Sequence, residues 1–304
     1  MTERFAGPTT VEAALAILAA DNAARPIAGG TDLVVAARQG RRPLPASIVA
    51  LDRIAELDSQ RVVDGALVLG SLTSHAWIAD AAEVRATWSA LADASAIVGS
   101  PATRATGTIG GNLMNASPAA ETTAPLVVLG ANVMLRAIGK GSRIVSVAQL
   151  AIGPGRTLAT IDELLTTVIV PPPAPASGSA YVRLEYRRAM EIAIVGAAAL
   201  VTLDGDGRIA AARVALTAVA PTIVRAPAAE EVLVGAAADA ASFRAAAEAA
   251  AAAASPIDDV RASADYRRAM LIVVVGRTLA AAAARARGES IPIPASRWAH
   301  GQEV

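Results

Sequence analysis

Apolar and polar positions divide the chain into a mixed N-terminal half and a C-terminal third dominated by helix. Val11, Leu15 and Leu18 recur at helical spacing, and Thr9 to Glu12 (TTVE) matches a capping box. A helix is predicted from about residue 10 to 20, with Asn22 ending it. Residues 25–28 (RPIA) read as a short strand that stops at Gly29-Gly30, and Thr31-Asp32 could cap a short helix through Ala37. A strand follows at residues 47–51. Val62-Val63, Asp64-Gly65 and residues 66–69 form a hairpin around a dipeptide that favours a type I′ turn. Helices are expected at about 76–81, 85–94 and 118–129, the last ending at Gly130, and strands at 132–136, 143–147 and 164–170. Three antiparallel strands are expected at 180–186, 195–203 and 208–219. Helices at 226–233, 239–254 and 263–287 complete the pattern, and Gly288 stops the last one. The tail from Glu289 is expected to be irregular and free to meet a partner.

Residues 98–117 fit none of these patterns, and with the helix expected after them they make one stretch, 98–130. They are rich in Gly, Ser, Thr, Ala and Pro and poor in charge. Loops of that length inside a compact domain are uncommon unless they serve a function. The expectation is a long ordered loop that brings bare backbone N–H groups to a ligand. Two boundaries divide the chain: a change of composition near Ala55, and the stiff proline-rich stretch from Pro171 to Gly178. They give a first lobe at residues 1–57, a second at 58–176, a C-terminal domain at 177–288 and a tail at 289–304.

Composition narrows the chemistry. Of 304 residues 54% are hydrophobic, much of that alanine, and no charge-free apolar run is long enough for a membrane span. With no apolar signal core at the N-terminus, a cytoplasmic location is expected. Lys plus Arg (27) balance Asp plus Glu (27), which argues against nucleic-acid binding. There is no cysteine, so the chain has no iron–sulfur cluster, disulfide or thiolate nucleophile. His75 and His300 are too few for an ordinary histidine metal site. An enzyme built this way must take its chemistry from a bound cofactor.

Two glycine pairs are candidates to hold that cofactor: Ala28-Gly29-Gly30-Thr31-Asp32 and Thr108-Ile109-Gly110-Gly111-Asn112. Each follows an extended segment, and glycine lets several N–H donors approach a diphosphate without a Cβ in the way. Either pair alone could be a tight turn. GDGRIA (205–210) formally fits a dinucleotide fingerprint, but strand-like residues follow it, and a hairpin turn is the better reading. EYRRAMEIAIVG (185–196) and DYRRAMLIVVVG (265–276) nearly repeat one another, yet their contexts differ and coincidence is favoured over duplication. His75 is either a covalent flavin attachment point or, as the favoured reading, a polar residue at a helix start.

IAGGTDLVVAARQG (27–40), GSPATRATGTIGGNLMNASPAAETTAPLVVLGA (99–131) and SAYVRLEYRRAMEIAIVG (179–196) with the residues after it resemble a known family. It is the FAD-binding medium subunit of molybdenum hydroxylases, of the carbon-monoxide-dehydrogenase and xanthine-dehydrogenase type. The resemblance runs from about residue 1 to 287. It implies an α+β fold: a two-lobed FAD-binding domain of the vanillyl-alcohol-oxidase/p-cresol-methylhydroxylase type, then a C-terminal domain with a three-stranded antiparallel sheet and three helices. It further implies that FAD bridges the lobes. Ile27, Ala28, Gly29, Gly30, Thr31, Asp32 and Leu33, with Thr108, Ile109, Gly110, Gly111 and Asn112, would line the diphosphate and ribityl chain. Val98 would lie near the flavin or adenine side. Glu121 stands where the family usually has Asp, in a position that hydrogen-bonds the cofactor. Leu165 matches a position that packs on it. Arg183 stands where a Lys near the isoalloxazine is common, and its charge would favour a reduced anionic flavin. Tyr181 is a candidate to stack near the ring or to serve in the core, and Glu191 falls where relatives often have Asp. No catalytic side chain and no metal ligand set are assigned.

The implied role is electron exit. Iron–sulfur clusters and the molybdopterin cofactor would sit in a small and a large partner subunit, in a dimer of heterotrimers, and FAD would pass electrons to an external acceptor. The alternative is a self-contained FAD-dependent oxidoreductase of the same superfamily, although the small Ala-rich C-terminal third leaves little room for a substrate domain.

Overall fold

The computed structural model describes residues 4–187 and 189–301. The chain separates into two compact units. The first comprises Met1–Trp77, Pro101–Ala116 and Gly130–Pro171; the second comprises Ile78–Ser100, Ser117–Leu129 and Pro172–Val304.

The first unit contains two main sheets. Arg4–Ala6, Ser47–Ala50 and Ala24–Ile27 form a parallel three-stranded sheet with Ser47–Ala50 in the middle. The helix Val11–Ala20 buries Val11, Ala14, Leu15 and Leu18 in a core shared with Val49, Leu51 and Ile54. Its cap is Thr10, whose side chain accepts from Ala13 N at 3.2 Å, so the start is one residue later than the TTVE pattern suggests. The chain leaves the helix at Asp21 instead of Asn22. Thr10→Ala is expected to cost about 1 kcal/mol, read as a small fall in the unfolding midpoint.

The second sheet is antiparallel, in the order Gln60–Val63, Ala66–Gly70, Leu164–Val170, Asn132–Ala137, Gly141–Ser146. Asp64 (φ 50°) and Gly65 (φ 79°) both occupy the left-handed region, as the type I′ turn requires.

In the second unit, Ser177–Leu184, Val195–Leu203, Ile209–Thr217 and Val224–Arg225 form an antiparallel sheet in chain order. The two-residue fourth strand is an addition to the three expected. Pro227–Leu233, Ala240–Ala252 and Ala264–Ala286 lie where helices were expected. Asp204 to Gly207 turns between the second and third strands, with Asp204 Oδ1 accepting from Asp206 N and Arg208 N. GDGRIA is therefore a hairpin. The near-repeat shows no structural repetition. Its first copy is a loop that ends in a strand, and its second opens a helix, from which Arg267 donates to the carbonyl of Ile194 in the first copy at 2.5 Å.

Three expectations change. The loop expected before residue 118 is partly helical: Pro101–Thr106 and Ile109–Asn115 are short helices. The helix expected at 118–129 is confined to Thr123–Val128, because Ser117 accepts from Ala119 N and Ala120 N and closes a turn before it. The tail is not irregular: Ala295–Ala299 is a helix with Ala295, Ser296 and Ala299 buried. Ala264–Ala286 is long and apolar enough to cross a membrane by length and composition, although it is not free of charges. Leu271, Val274, Val275 and Leu279 nevertheless lie in the core with Ala197, Ala199 and Val201 of the sheet, as in the central helix of a folded domain.

Candidate functional site

The site residues fall into two groups, one within each unit. In the first unit the strand Ala24–Ile27 runs into the glycine pair. Gly30 takes φ +66°, a conformation that favours glycine. Gly29 is glycine because space is lacking: a Cβ there would stand 1.9 Å from the carbonyl oxygen of Thr106. The first glycine segment thus packs on the backbone that leads into the second, and a Cβ on Gly111 would stand 3.9 Å from Ala28 Cβ.

Their hydrogen bonding differs. Along Gly29, Gly30, Thr31, Asp32 and Leu33 the backbone N–H groups have no partner among the described residues, and the first engaged amide is Val34, which donates to Gly30 O at 2.9 Å. In the other segment the donors are used internally. Ile109 N binds Thr73 O (3.0 Å), Gly110 N binds Ser71 O (2.9 Å), Gly111 N binds Thr108 Oγ1 (3.1 Å) and Asn112 N binds Thr108 O (2.9 Å). Gly110 is glycine for packing, since a Cβ would come within 2.6 Å of Ser71 Cβ and O. A Gly110→Val change therefore acts first through Ser71, not by blocking a donor. A run of five consecutive unspent N–H groups is the feature a diphosphate needs, so the residues present fit the group.

His75 opens the helix His75–Asp80, and its N–H donates to Gly107 O at 3.1 Å. The side chain is 2% exposed, and Nδ1 has no partner among the described residues. Burial, with a smaller effect from Arg104, lowers its pKa to about 4. A folded-state pKa below the unfolded 6.5 means that the unfolded chain takes up a proton first. Stability is intact above about pH 6.5 and is lost as the pH falls toward 4, by roughly 3 kcal/mol in all. Denaturation of wild type and His75→Gln at pH 7 and pH 4 should show that extra loss only in the wild type. Leu165 is buried in the strand Leu164–Val170 opposite Leu135, beside a bulge. Val98 is half-buried in the second unit.

In the second unit Glu121, Tyr181 and Arg183 form one buried cluster. Tyr181 and Arg183 point to the same face of the Ser177–Leu184 strand because they are two residues apart. Arg183 Nη1 donates to Glu121 Oε1 (2.5 Å), its Nε donates to Glu185 Oε2 (2.9 Å), and the Tyr181 hydroxyl donates to Glu121 Oε2 (2.5 Å). Arg183 and Tyr181 are fully buried and Glu121 nearly so. Burial raises the Glu121 carboxyl above its ordinary range, against the pull of Arg183. Burial would lower Arg183, but Glu121 and Glu185 outweigh it and keep the guanidinium charged. Glu191 contributes its backbone carbonyl to Arg183 Nη1 (3.3 Å) and pairs its carboxylate with Arg187 (2.9 Å).

Sequence reasoning missed the support behind this cluster. Asp93, fully buried, accepts from Tyr181 N (3.1 Å), Arg285 Nη1 (2.6 Å) and Nη2 (3.0 Å), and Ala295 N (2.8 Å). The signal available was a single acid in the apolar run LADASA, with a single arginine late in an alanine-rich helix.

Residues 2–173 match the family described as FAD binding domain in molybdopterin dehydrogenase, and residues 180–282 match the CO dehydrogenase flavoprotein C-terminal domain. The 6-hydroxypseudooxynicotine dehydrogenase complex subunit alpha of Paenarthrobacter nicotinovorans is 34% identical, across 91% of this chain and 93% of its own length. The carbon monoxide dehydrogenase medium chain of Afipia carboxidovorans is 32% identical, across 87% and 90%. The solved carbon monoxide dehydrogenase of Hydrogenophaga pseudoflava superposes with a TM-score of 0.89 at 31% identity, over 94% of this chain and 98% of that one. The chain belongs to the family of FAD-binding domains of molybdopterin dehydrogenases. Within it, the protein is the FAD subunit of an oxidoreductase of the molybdenum hydroxylase type, with the mixed α/β fold of carbon monoxide dehydrogenase medium chains.

Proposed function

We propose that this chain is the electron-exit subunit of a heterotrimeric molybdenum hydroxylase, and that its FAD is held in the peptide cradle Gly29–Leu33. The observation that carries the reading is the run of unspent N–H groups beside a second glycine segment packed onto it. FAD, when bound, supplies the redox chemistry of the subunit: it accepts electrons from a partner's iron–sulfur clusters and delivers them to an external acceptor.

The chain's own residues bind and orient. Ile27 and Ala28 lead the backbone into the cradle, and Thr108 offers its N–H, which has no partner among the described residues. The engaged amides of residues 109–112 hold that segment rigid. Glu121, Arg183 and Tyr181 serve the flavin end as a preorganised charged cluster, with Leu165 and Val98 as packing positions; this assignment rests on the family resemblance. The strands within residues 4–50 form one sheet and those at 60–70, 132–146 and 164–170 another, which supports the reading as two lobes of the vanillyl-alcohol-oxidase/p-cresol-methylhydroxylase type, with a boundary near residue 57 and a C-terminal domain from 177.

The chain has no cysteine to ligate an iron–sulfur cluster, which supports a reading in which such clusters belong to another chain. Partners are therefore proposed as a small iron–sulfur subunit and a large molybdenum subunit, in a cytoplasmic dimer of heterotrimers. Relatives named as subunits of dehydrogenase complexes support this. The test is purification of the natively expressed chain. Recovery with stoichiometric FAD and two further subunits, one carrying iron–sulfur clusters, is expected. Recovery as a lone flavoprotein that turns over substrate would favour the self-contained oxidoreductase.

A further inference from the structure

The outward edge of the Ser177–Leu184 strand is closed by side chains. Its other edge pairs with Val195–Leu203. On the outward side Ser179 O accepts from Ser89 Oγ (2.7 Å) and Arg285 Nη1 (2.7 Å). Tyr181 N donates to Asp93 Oδ2 at 3.1 Å. Arg183 N donates to Ser296 Oγ at 3.2 Å, and Arg183 O accepts from His300 Nε2 at 2.8 Å. An edge strand ordinarily leaves such groups open to solvent or to another strand. Here Arg183, the residue that holds Glu121, has both backbone groups tied to the segment after Gly288.

That segment is itself anchored. Arg285 Nη2 reaches Ile291 O (3.4 Å) and Pro292 O (3.3 Å), and Ala295 N donates to Asp93 Oδ1 at 2.8 Å. His300 is held from both sides, since Arg277 Nη1 lies 3.0 Å from its Nδ1. A carbonyl only accepts and a guanidinium only donates, so the neutral ring protonated on Nε2 satisfies both contacts. The match to the flavoprotein C-terminal domain ends at residue 282, so the segment lies beyond it.

We infer that residues 289–300 form a strap that fixes the backbone at Arg183, and that Ser296 and His300 are positioning residues for its guanidinium and thereby for the charge that the Glu121–Arg183–Tyr181 cluster presents to the flavin. This rests on the assignment of that cluster to the flavin end. With the strap loosened, Arg183 compensates less of the Glu121 charge, and added negative charge near a flavin disfavours its reduction.

The test uses the assembled, flavin-loaded complex. Hydrogen exchange is followed in peptides covering residues 179–185, and the flavin midpoint potential is measured, for His300→Ala, His300→Gln, Ser296→Ala/His300→Ala and Arg183→Gln. The double variant should exchange at the Arg183 amide at least about tenfold faster, the equivalent of roughly 1.4 kcal/mol of lost protection. His300→Ala should lower the midpoint potential, and His300→Gln, whose amide can still donate to the Arg183 carbonyl, should restore it. Unchanged exchange in the double variant would overturn the strap. Faster exchange with an unshifted potential, while Arg183→Gln shifts it, would overturn the positioning role. An unshifted potential in Arg183→Gln would overturn the assignment of the cluster to the flavin, and the positioning role with it.

Discussion

Asp93→Ala is expected to destabilise the second unit by about 3–5 kcal/mol, the scale for removing one partner of a buried ion pair. Asp93 is 0% exposed and gathers four N–H donors: the main chain of Tyr181 and Ala295 and both terminal nitrogens of Arg285. Truncation leaves a guanidinium that is 9% exposed without its counter-charge, and two buried amides without an acceptor. It also releases the strap from the strand that carries Arg183. Chemical denaturation of the two proteins at neutral pH reads the loss directly. A change under about 1 kcal/mol would mean that the four contacts are not formed together. Asp93→Asn, which keeps an acceptor but loses the charge, should fall between the two.

Gly29→Val should give a complex without flavin. The added Cβ would stand 1.9 Å from Thr106 O and 2.6 Å from Thr106 C, both main-chain atoms that no rotamer change can move. The two glycine segments must therefore part, and the cradle amides lose their alignment. Flavin content by absorbance, with circular dichroism as the check on folding, measures the effect. Gly40→Ala is the control. Gly40 has φ +69° with nothing near its missing Cβ, so a side chain there strains the backbone by about 1 kcal/mol without any clash and away from the cradle. That variant should keep its flavin. Loss of flavin in both would mean that any loss of stability in this unit, and not the packing of Gly29 on Thr106, decides retention.

Local signals in the sequence carried most of the elements. Period-2 and period-3.6 patterns located the strands and helices, and Asp64-Gly65 and Asp204 to Gly207 announced their turns. Errors arose where a side chain or a distant backbone group decided the outcome. Ser117 turns the chain before Thr123, so the helix there is shorter than its apolar pattern. Buried Arg285 and Asp93 draw the tail inward, where its sequence reads as an irregular end.

The site was legible in the same uneven way. Two glycine pairs named segments that lie near one another, but composition could not distinguish a glycine needed for packing from one whose N–H is left unspent. Gly110, whose amide is spent on Ser71, and Gly30, whose amide is unspent, look alike as letters. Glu121 and Arg183, 62 residues apart, became a pair only in three dimensions.

The central claim is that this chain relays electrons and does not itself oxidise substrate. It is tested most directly by mixing substrate with the FAD-loaded chain, alone and within the complete complex, while flavin absorbance is followed. The account predicts no reduction on the catalytic timescale by the chain alone and rapid reduction in the complex. Rapid reduction of the flavin in the isolated chain would contradict it.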